Sequence, residues 1–430
     1  MMRKKVLIVA YYWPPAGGPG VQRWLKFATY LPEFGIEPVL FVPQNPSYPI
    51  IDEGLCAQVP ADLKIFRGKI WEPYGVARLF SSGKTRKMSS GIVPAAKKAG
   101  LFEKAALWIR GNIFIPDARV FWVGPAVSRI LQIIKEEGID TIITTGPPHS
   151  LHLIGLELQK RARIKWIADF RDPWTSIGYH SSLMLSQFAR KRHKQLEHLV
   201  LSSADLVIAT SRTTRLELVN IGARNAEVIT NGFEPADIDV ALDQKFTLAH
   251  IGSLLSARNP LILWNALAEL AREVKGFADD FQLSLAGTVS SEVVAAIINA
   301  GLETQLELTP YLPHQQALQK QRSAQVLLLV EIDSAETRGI LPGKLFEYMA
   351  SGRPMIAIGP RGSEIEDILV ETSSGEYFTY GDKARLKEHI ASLYERFRTG
   401  GLASNAVGTE KYTRRATTSR LAELIGKVWE

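Results

Sequence analysis

One cysteine, Cys56, in 430 residues leaves no intramolecular disulfide framework and no cysteine-rich metal site, and it suits a reducing compartment. No uninterrupted apolar run reaches the ~20 residues needed to span a bilayer, so integral membrane insertion is not expected. The N-terminus, Met1-Met2-Arg3-Lys4-Lys5 before Val6 to Trp13, has the outline of a signal peptide. The apolar run stops at Pro14-Pro15 with no small-residue cleavage site, however, and a first buried strand accounts for it better. Repeats of solenoid period, zinc-finger spacing and RNA-binding aromatic motifs are absent, so nucleic acid is not an expected partner.

What is present is an ordinary globular composition, 46% hydrophobic and 22% charged. The length exceeds the roughly 250–300 residues at which single cores stop growing, so two domains are expected. Charge separates them: Met1 to Pro235 carries 31 Lys and Arg against 19 Asp and Glu, the remainder 20 against 25. A basic first half points to an anionic partner for that half. The polar, acidic stretch Pro235 to Lys245 is the expected linker, giving domains over residues 1–235 and 236–405 with a last helical segment over 406–430.

Strand, loop and helix alternate in both halves. In the first, strands are expected at Lys5 to Ala10, Glu37 to Val42, Asp140 to Thr145, Lys165 to Phe170, Asp205 to Ala209 and Ala226 to Thr230. Helices are expected at Val21 to Phe34, Pro125 to Glu137, Leu151 to Ala162 and Ser182 to Leu201, the last bearing Arg190, Lys191, Arg192, His193 and Lys194. Residues 43–117 read as an irregular insertion in which Lys84, Arg86, Lys87, Lys97, Lys98, Lys104 and Arg110 mix with Ile92, Val93, Leu101, Phe102, Leu107, Trp108 and Ile109. That mixture suits either a peripheral contact with anionic lipid or a solvated insertion with a small core of its own.

Chemistry-bearing residues follow predicted parallel strands, on the edge where open α/β sheets bind ligands. After the first strand comes Pro14-Pro15-Ala16-Gly17-Gly18-Pro19-Gly20, whose glycines allow close backbone approach. It lacks the G-x-G-x-x-G spacing of nicotinamide binding. His149 follows Pro147-Pro148, with His152 one helical turn on, and Asp169-Phe170-Arg171-Asp172-Pro173-Trp174 closes another strand. In the second half Gly252-Ser253 precedes Arg258. The most informative stretch is Gly339 to Pro354, expected to be a loop and helix between two buried strands. Leu345, Phe346, Met349 and Ala350 fall on a core face, and Lys344, Glu347 and Ser351 on the other. A helix N-terminus carrying Gly343, Lys344 and Leu345, with Glu347 one turn further in, is equipped to hold a phosphate with a hydroxylated sugar beside it. The same Lys344 and Glu347 also fit a plain i,i+3 pair on a solvated face.

The ordered set Pro15-x-Gly17-Gly18, His149, Asn231-Gly232, Gly252-Ser253 and Gly343-Lys344-Leu345-Phe346-Glu347-Tyr348-Met349-Ala350-x-Gly352-x-Pro354 resembles glycosyltransferase family 4, over nearly the whole chain and least in residues 43–117. The resemblance implies a GT-B fold, two Rossmann-like α/β domains facing each other across a cleft, and retaining transfer of a sugar from a nucleotide-diphosphate donor. It implies that Lys344 and the helix N-terminus hold donor phosphate, that Glu347 accepts hydrogen bonds from the ribose, that Gly17 and Gly18 approach donor phosphate or sugar, and that His149 bonds the transferred sugar. No tightly bound metal or other cofactor is implied. The Asp169 to Trp174 segment resembles a signature of surface-polysaccharide members, so Asp169, Arg171, Asp172 and Trp174 are candidate acceptor contacts, with Asp172 a base for the incoming hydroxyl; a salt-bridged loop with a core Trp fits the same residues. The acceptor is then a glycan or lipid-linked glycan, the setting cytoplasmic at the membrane surface, and residues 406–430 pack back towards the first domain.

Two positions depart from the family pattern. A Glu common eight residues before the ribose-binding one is Gly339 here, which leaves Glu336, Glu331 or the backbone N–H groups of Ile340 and Leu341 to take its part. The Arg expected after Gly252 is Ser253, which makes Arg258 the candidate companion of Lys344. Two other functions stay open on the sequence: a nucleotide-sugar 2-epimerase of the same fold, and a degenerate member that binds glycan or protein without catalysis.

Overall fold

Buried strands alternating with helices build two doubly wound α/β units. The computed structural model describes residues 4–72, 108–176, 183–235 and 239–430. One unit comprises Met1–Asn231 with Arg414–Glu430, the other Gly232–Thr413.

In the first unit a parallel sheet is formed by β1 (Lys4–Val9), β2 (Ile36–Gln44), β3 (Lys64–Lys69), β4 (Thr141–Gly146), β5 (Lys165–Phe170), β6 (Leu206–Ala209) and β7 (Ala226–Val228), in the order β3-β2-β1-β4-β5-β6-β7. Its central strands are buried along most of their length because both faces are covered. Val6 and Ile8 enter one core and Leu7 and Val9 the opposite one, as the two-residue period requires. The helix Arg414–Trp429 belongs to the first core: Leu421, Leu424 and Ile425 pack with Trp24 and Leu25 of the helix Pro19–Tyr30, and Trp429 Nε1 donates to Thr141 Oγ1 at 2.7 Å.

The strand β3 corrects the reading of residues 43–117 as irregular. Its sequence, Lys-Ile-Phe-Arg-Gly-Lys, has no continuous apolar run because an edge strand is half solvated, and pairing with β2 stabilises it instead. The segment's Lys84, Arg86, Lys87, Ile92, Val93, Lys97, Lys98, Leu101, Phe102, Lys104 and Leu107 lie outside the described residues.

The second unit's sheet joins β8 (Phe246–Ile251), β9 (Phe281–Ala286), β10 (Leu306–Thr309), β11 (Val326–Val330), β12 (Met355–Gly359) and β13 (Gly375–Thr379) in the order β10-β9-β8-β11-β12-β13. In each sheet the chain first winds outward on one side and then restarts on the other. The restart sets β1 beside β4 and β8 beside β11. Such switch points, at the carboxyl ends of the strands, are where open α/β sheets bind ligands. The Gly17-Gly18 loop and His149 flank the first, and Gly252 and the Lys344 helix flank the second.

Candidate active site

In the second unit β8 and β11 pair only through Val326 with Leu248 and Leu327 with Ala249, then part. Side chains satisfy the backbone groups released by that parting. His250 Nδ1 donates to the Leu328 carbonyl at 2.8 Å, and the Tyr348 hydroxyl accepts from Ile251 N–H at 2.9 Å. Tyr348 lies on the helix Gly343–Ala350, whose Leu345, Phe346 and Met349 are buried against the sheet. The helix is thereby fixed with its N-terminus at the gap, capped by Pro342; Leu345 N–H donates to the Pro342 carbonyl at 3.0 Å, and the Gly343 and Lys344 N–H groups lack carbonyl partners of the helix itself. Lys344 reaches back over β8 so that its Nζ stands 3.3 Å from His250 Nε2.

Gly252 forms the floor of this arrangement. Its φ is +130°, and a Cβ there would meet Lys344 Nζ at 2.6 Å, so a side chain would both strain the backbone and displace the ammonium. Burial, then the neighbouring Arg258 guanidinium, lowers the Lys344 pKa to about 8, with Glu347 opposing them. Arg258, the last residue of the 3₁₀ turn Ser256–Arg258, is itself held below its ordinary range by burial, with Glu331 and Tyr380 pulling the other way. Two half-buried cations that repel each other make a site whose charge is best balanced by an anion. Glu347 receives Gln321 Nε2 at 3.1 Å on one carboxylate oxygen.

Gly339 leaves a carboxylate to be replaced, and the groups offered for that part differ in placement. Glu336 is exposed, and Ile340 N–H is bonded to the Thr337 carbonyl at 2.9 Å. Glu331 is the one placed beside Arg258. It is 6% exposed, accepts from Tyr377 Oη at 2.8 Å, and is pushed up to about 7 by burial.

In the first unit the helix Ser150–Arg161 starts after β4 with Ser150 N–H and Oγ both donating to Asp117, at 2.9 and 2.8 Å. This cap sets His149, whose imidazole lies on the Trp174 indole with ring centroids 5.1 Å apart and planes 4° from parallel. Arg171 donates to the Pro147 carbonyl and lies so close over Gly20 that a Cβ there would overlap its guanidinium. Gly18 caps the helix Pro19–Tyr30, while Gly17 N–H is taken by the Ile50 carbonyl at 3.0 Å. His149, Arg171, Asp172 and the glycine loop therefore share one sheet edge. Burial raises the Asp172 pKa, against the pull of Arg171.

Two of the expected acceptor contacts stand inside the unit instead. Asp169 is part of β5 itself and fully buried; its carboxylate takes Arg23 Nη2 at 3.1 Å, Trp24 Nε1 at 2.8 Å and Thr145 Oγ1 at 2.9 Å. Trp174 is 2% exposed, donates to His193 Nδ1 at 3.1 Å and gives a face to His149. His152 is a core residue bonded to Thr144 Oγ1 at 2.9 Å and lowered to about 3 by burial. Among the described residues no three His, Cys, Asp or Glu side chains gather as a metal site.

Solved structures share this architecture over nearly the full length. Sucrose-phosphate synthase from Thermosynechococcus elongatus is 14% identical with a TM-score of 0.62, covering 99% of each chain. Anabaena HepE in complex with UDP-glucose is 16% identical with a TM-score of 0.60, covering 98% of this chain and 99% of that one. The lipopolysaccharide outer core galactosyltransferase WaaB is 15% identical with a TM-score of 0.57, again over 98% and 99%. At such identities the likeness is one of fold. No curated protein matches by sequence. Family models decide the matter: Glycosyl transferase 4-like domain matches residues 99–232, and Glycosyl transferases group 1 matches residues 245–396. The chain is a GT-B glycosyltransferase of the family 4 type.

In this glycosyltransferase the sequence reading overlooked His250, Tyr348 and Asp117. Each is a polar residue in or beside an apolar run, a signal that says only that a buried partner exists. The partners lie 78, 97 and 33 residues away, and strand order alone brings them together.

Proposed function

We propose that this glycosyltransferase moves a monosaccharide, with retention at the anomeric carbon, from a nucleotide-diphosphate sugar to a glycan or lipid-linked acceptor in surface-polysaccharide biosynthesis. The observation that carries the reading is Lys344, seated on Gly252 at the N-terminus of its helix and at the β8/β11 switch point. The leaving group is a dianionic diphosphate. Lys344, Arg258 and the N–H groups of Gly343 and Lys344 provide fixed positive charge where that charge develops, in the place a metal ion would take elsewhere. Same-face attack assisted by the leaving phosphate accounts for retention without a carboxylate nucleophile.

Glu347 accepts hydrogen bonds from the ribose hydroxyls, with Gln321 fixing its other contact. Its replacement, Glu347→Ala, raises the Km for donor about 10- to 100-fold, since bonds to a charged acceptor contribute about 1.5–3 kcal/mol. Steady-state kinetics with varied donor reads this directly. In the first unit His149 bonds the transferred sugar, Gly17 and Gly18 line the approach, and Asp172 takes the proton of the attacking hydroxyl with Arg171 beside it. Burial leaves Asp172 more basic than an ordinary carboxylate, which suits that part. Asp172→Asn is expected to lower kcat about 10²–10⁴-fold with little change in donor Km, and to remove the acid limb of the pH–rate profile.

The exposed Arg190, Lys191, Arg192 and Lys194 on the helix Gln187–Ser203 supply a basic surface for an anionic membrane, with the protein on its cytoplasmic side. No described helix is long and apolar enough to cross a membrane. The WaaB galactosyltransferase, which acts on the lipopolysaccharide outer core, shares the fold and supports the surface-glycan setting.

The test is product analysis. Incubation with nucleotide sugar and lipid-linked glycan should give a product of the donor's anomeric configuration by proton NMR. Consumption of donor to a 2-epimer without acceptor would overturn the reading, as would an inverted product.

A further inference from the structure

We propose that His250 is a positioning residue for donor binding: anchored to the Leu328 carbonyl, its imidazole accepts a hydrogen bond from Lys344 and holds that ammonium over Gly252, aimed at the diphosphate. The inference rests on the reading of Lys344 as a diphosphate ligand and adds the part that keeps the lysine in place.

The tautomer follows from the partners. A carbonyl oxygen can only accept, so at 2.8 Å from Leu328 O the Nδ1 atom must carry the proton. With Nδ1 protonated Nε2 keeps its lone pair, and Lys344 Nζ, 3.3 Å away, donates to it; the ring has a further backbone contact with Ser253, which favours its proton. His250 is 1% exposed, and burial first, then the charge of Lys344, holds its basicity well below the ordinary imidazole range. The charged groups acting on it are Lys344 and Arg258; those acting on Lys344 are Arg258 and Glu347. No other neighbour supplies Lys344 with a hydrogen-bond acceptor among the described residues. A lysine stem has four rotatable bonds, so an acceptor on one side and the bare Cα of Gly252 beneath decide where the ammonium points. One N–H goes to the imidazole and two remain for phosphate oxygens.

The position of His250 also explains why a histidine stands in a largely apolar, buried strand. It occupies the place where the β8/β11 ladder ends, so one ring nitrogen closes the sheet while the other faces the site. A histidine retained only for the sheet would need Nδ1 alone.

Calorimetric titration with UDP, GDP, ADP and dTDP identifies the tightest-binding probe, and its Kd is then followed from pH 6.5 to 9.5. Wild-type affinity should fall as pH rises through about 8, where the free Lys344 loses its proton. His250→Phe keeps the ring volume and removes the acceptor. It should bind about tenfold more weakly at pH 8 and begin its decline at lower pH. His250→Gln, which offers an amide acceptor near the Nε2 position, should recover most of the loss. Lys344→Met should lose the pH dependence, and adding His250→Phe to it should weaken binding no further.

A folded His250→Phe variant with the wild-type Kd and pH midpoint overturns the role of His250, while a weakened Lys344→Met leaves the diphosphate reading standing. If Lys344→Met also binds as wild type, or no probe binds wild type, both readings fall. Should His250→Phe not fold, ¹⁵N NMR of wild type and Lys344→Met decides the question. A protonated Nδ1 and an unprotonated Nε2 whose shift moves in Lys344→Met support the role; a protonated Nε2, or one indifferent to Lys344, overturns it.

Discussion

Replacing Lys344 by alanine should cost transfer about 10²–10³-fold and weaken nucleoside diphosphate binding with it, while the protein stays folded. The first part follows from where the ammonium sits: at the N-terminus of its helix and over Gly252, it meets a diphosphate whose negative charge grows as the sugar leaves. The second part follows from what the ammonium lacks. Among the described residues it joins no ion pair within the protein, its neighbouring cation Arg258 repels it, and burial disfavours its charge, so its removal relieves the free protein. Alanine is a good helix former at that position. A single-turnover assay beside a thermal melt separates the two effects: the rate should collapse and the melting temperature should hold or rise. A variant that loses both would make Lys344 a structural residue.

The largest expected stability loss is at Asp169→Ala, about 3–5 kcal/mol. Arg23 is 0% exposed, and Asp169 is its partner at 3.1 Å; without the carboxylate a guanidinium is left charged in the interior, with only the Thr230 carbonyl at 2.7 Å still bonded to it. Trp24 Nε1 and Thr145 Oγ1 lose their acceptor in the same stroke. Removing both ends of the pair, Arg23→Met with Asp169→Leu, should be less damaging than Asp169→Ala alone, because no buried charge remains. Urea denaturation of the three proteins tests this. If Asp169→Ala keeps its midpoint and loses only acceptor binding, Asp169 is an acceptor contact after all.

That correction shows what one dimension hides. The alternation of apolar runs and glycine stops was enough to place β1, β5 and the two strands either side of the Lys344 helix, since a parallel sheet covered on both faces puts apolar residues along most of each strand. It was enough for the Lys344 helix as well, where Pro342, Gly343 and Gly352 bracket an amphipathic turn pattern. It failed for β3, which pairing stabilises, and for the helices Arg212–Ile221 and Ser291–Asn299, which no reading had assigned.

The site was legible where a residue follows a strand and illegible where it sits within one. Asp169, at the penultimate position of β5, reads the same as Asp172 three residues on, yet the pleat turns the first into the core beside Arg23, 146 positions away in sequence. Tyr348 falls on no separate face of the helical pattern and is nevertheless the group that ties its helix to β8. His250 is hidden by the same cause, since its two partners come from β11 and from the helix beyond it.

The most direct test of the central claim is the structure of the protein with a bound nucleotide-diphosphate sugar or the nucleoside diphosphate it leaves. The account predicts phosphate oxygens within hydrogen-bonding distance of Lys344 Nζ and the Gly343 and Lys344 N–H groups at the start of the helix Gly343–Ala350, with the ribose on Glu347. A ligand bound elsewhere, with Lys344 still directed only at His250, would contradict it.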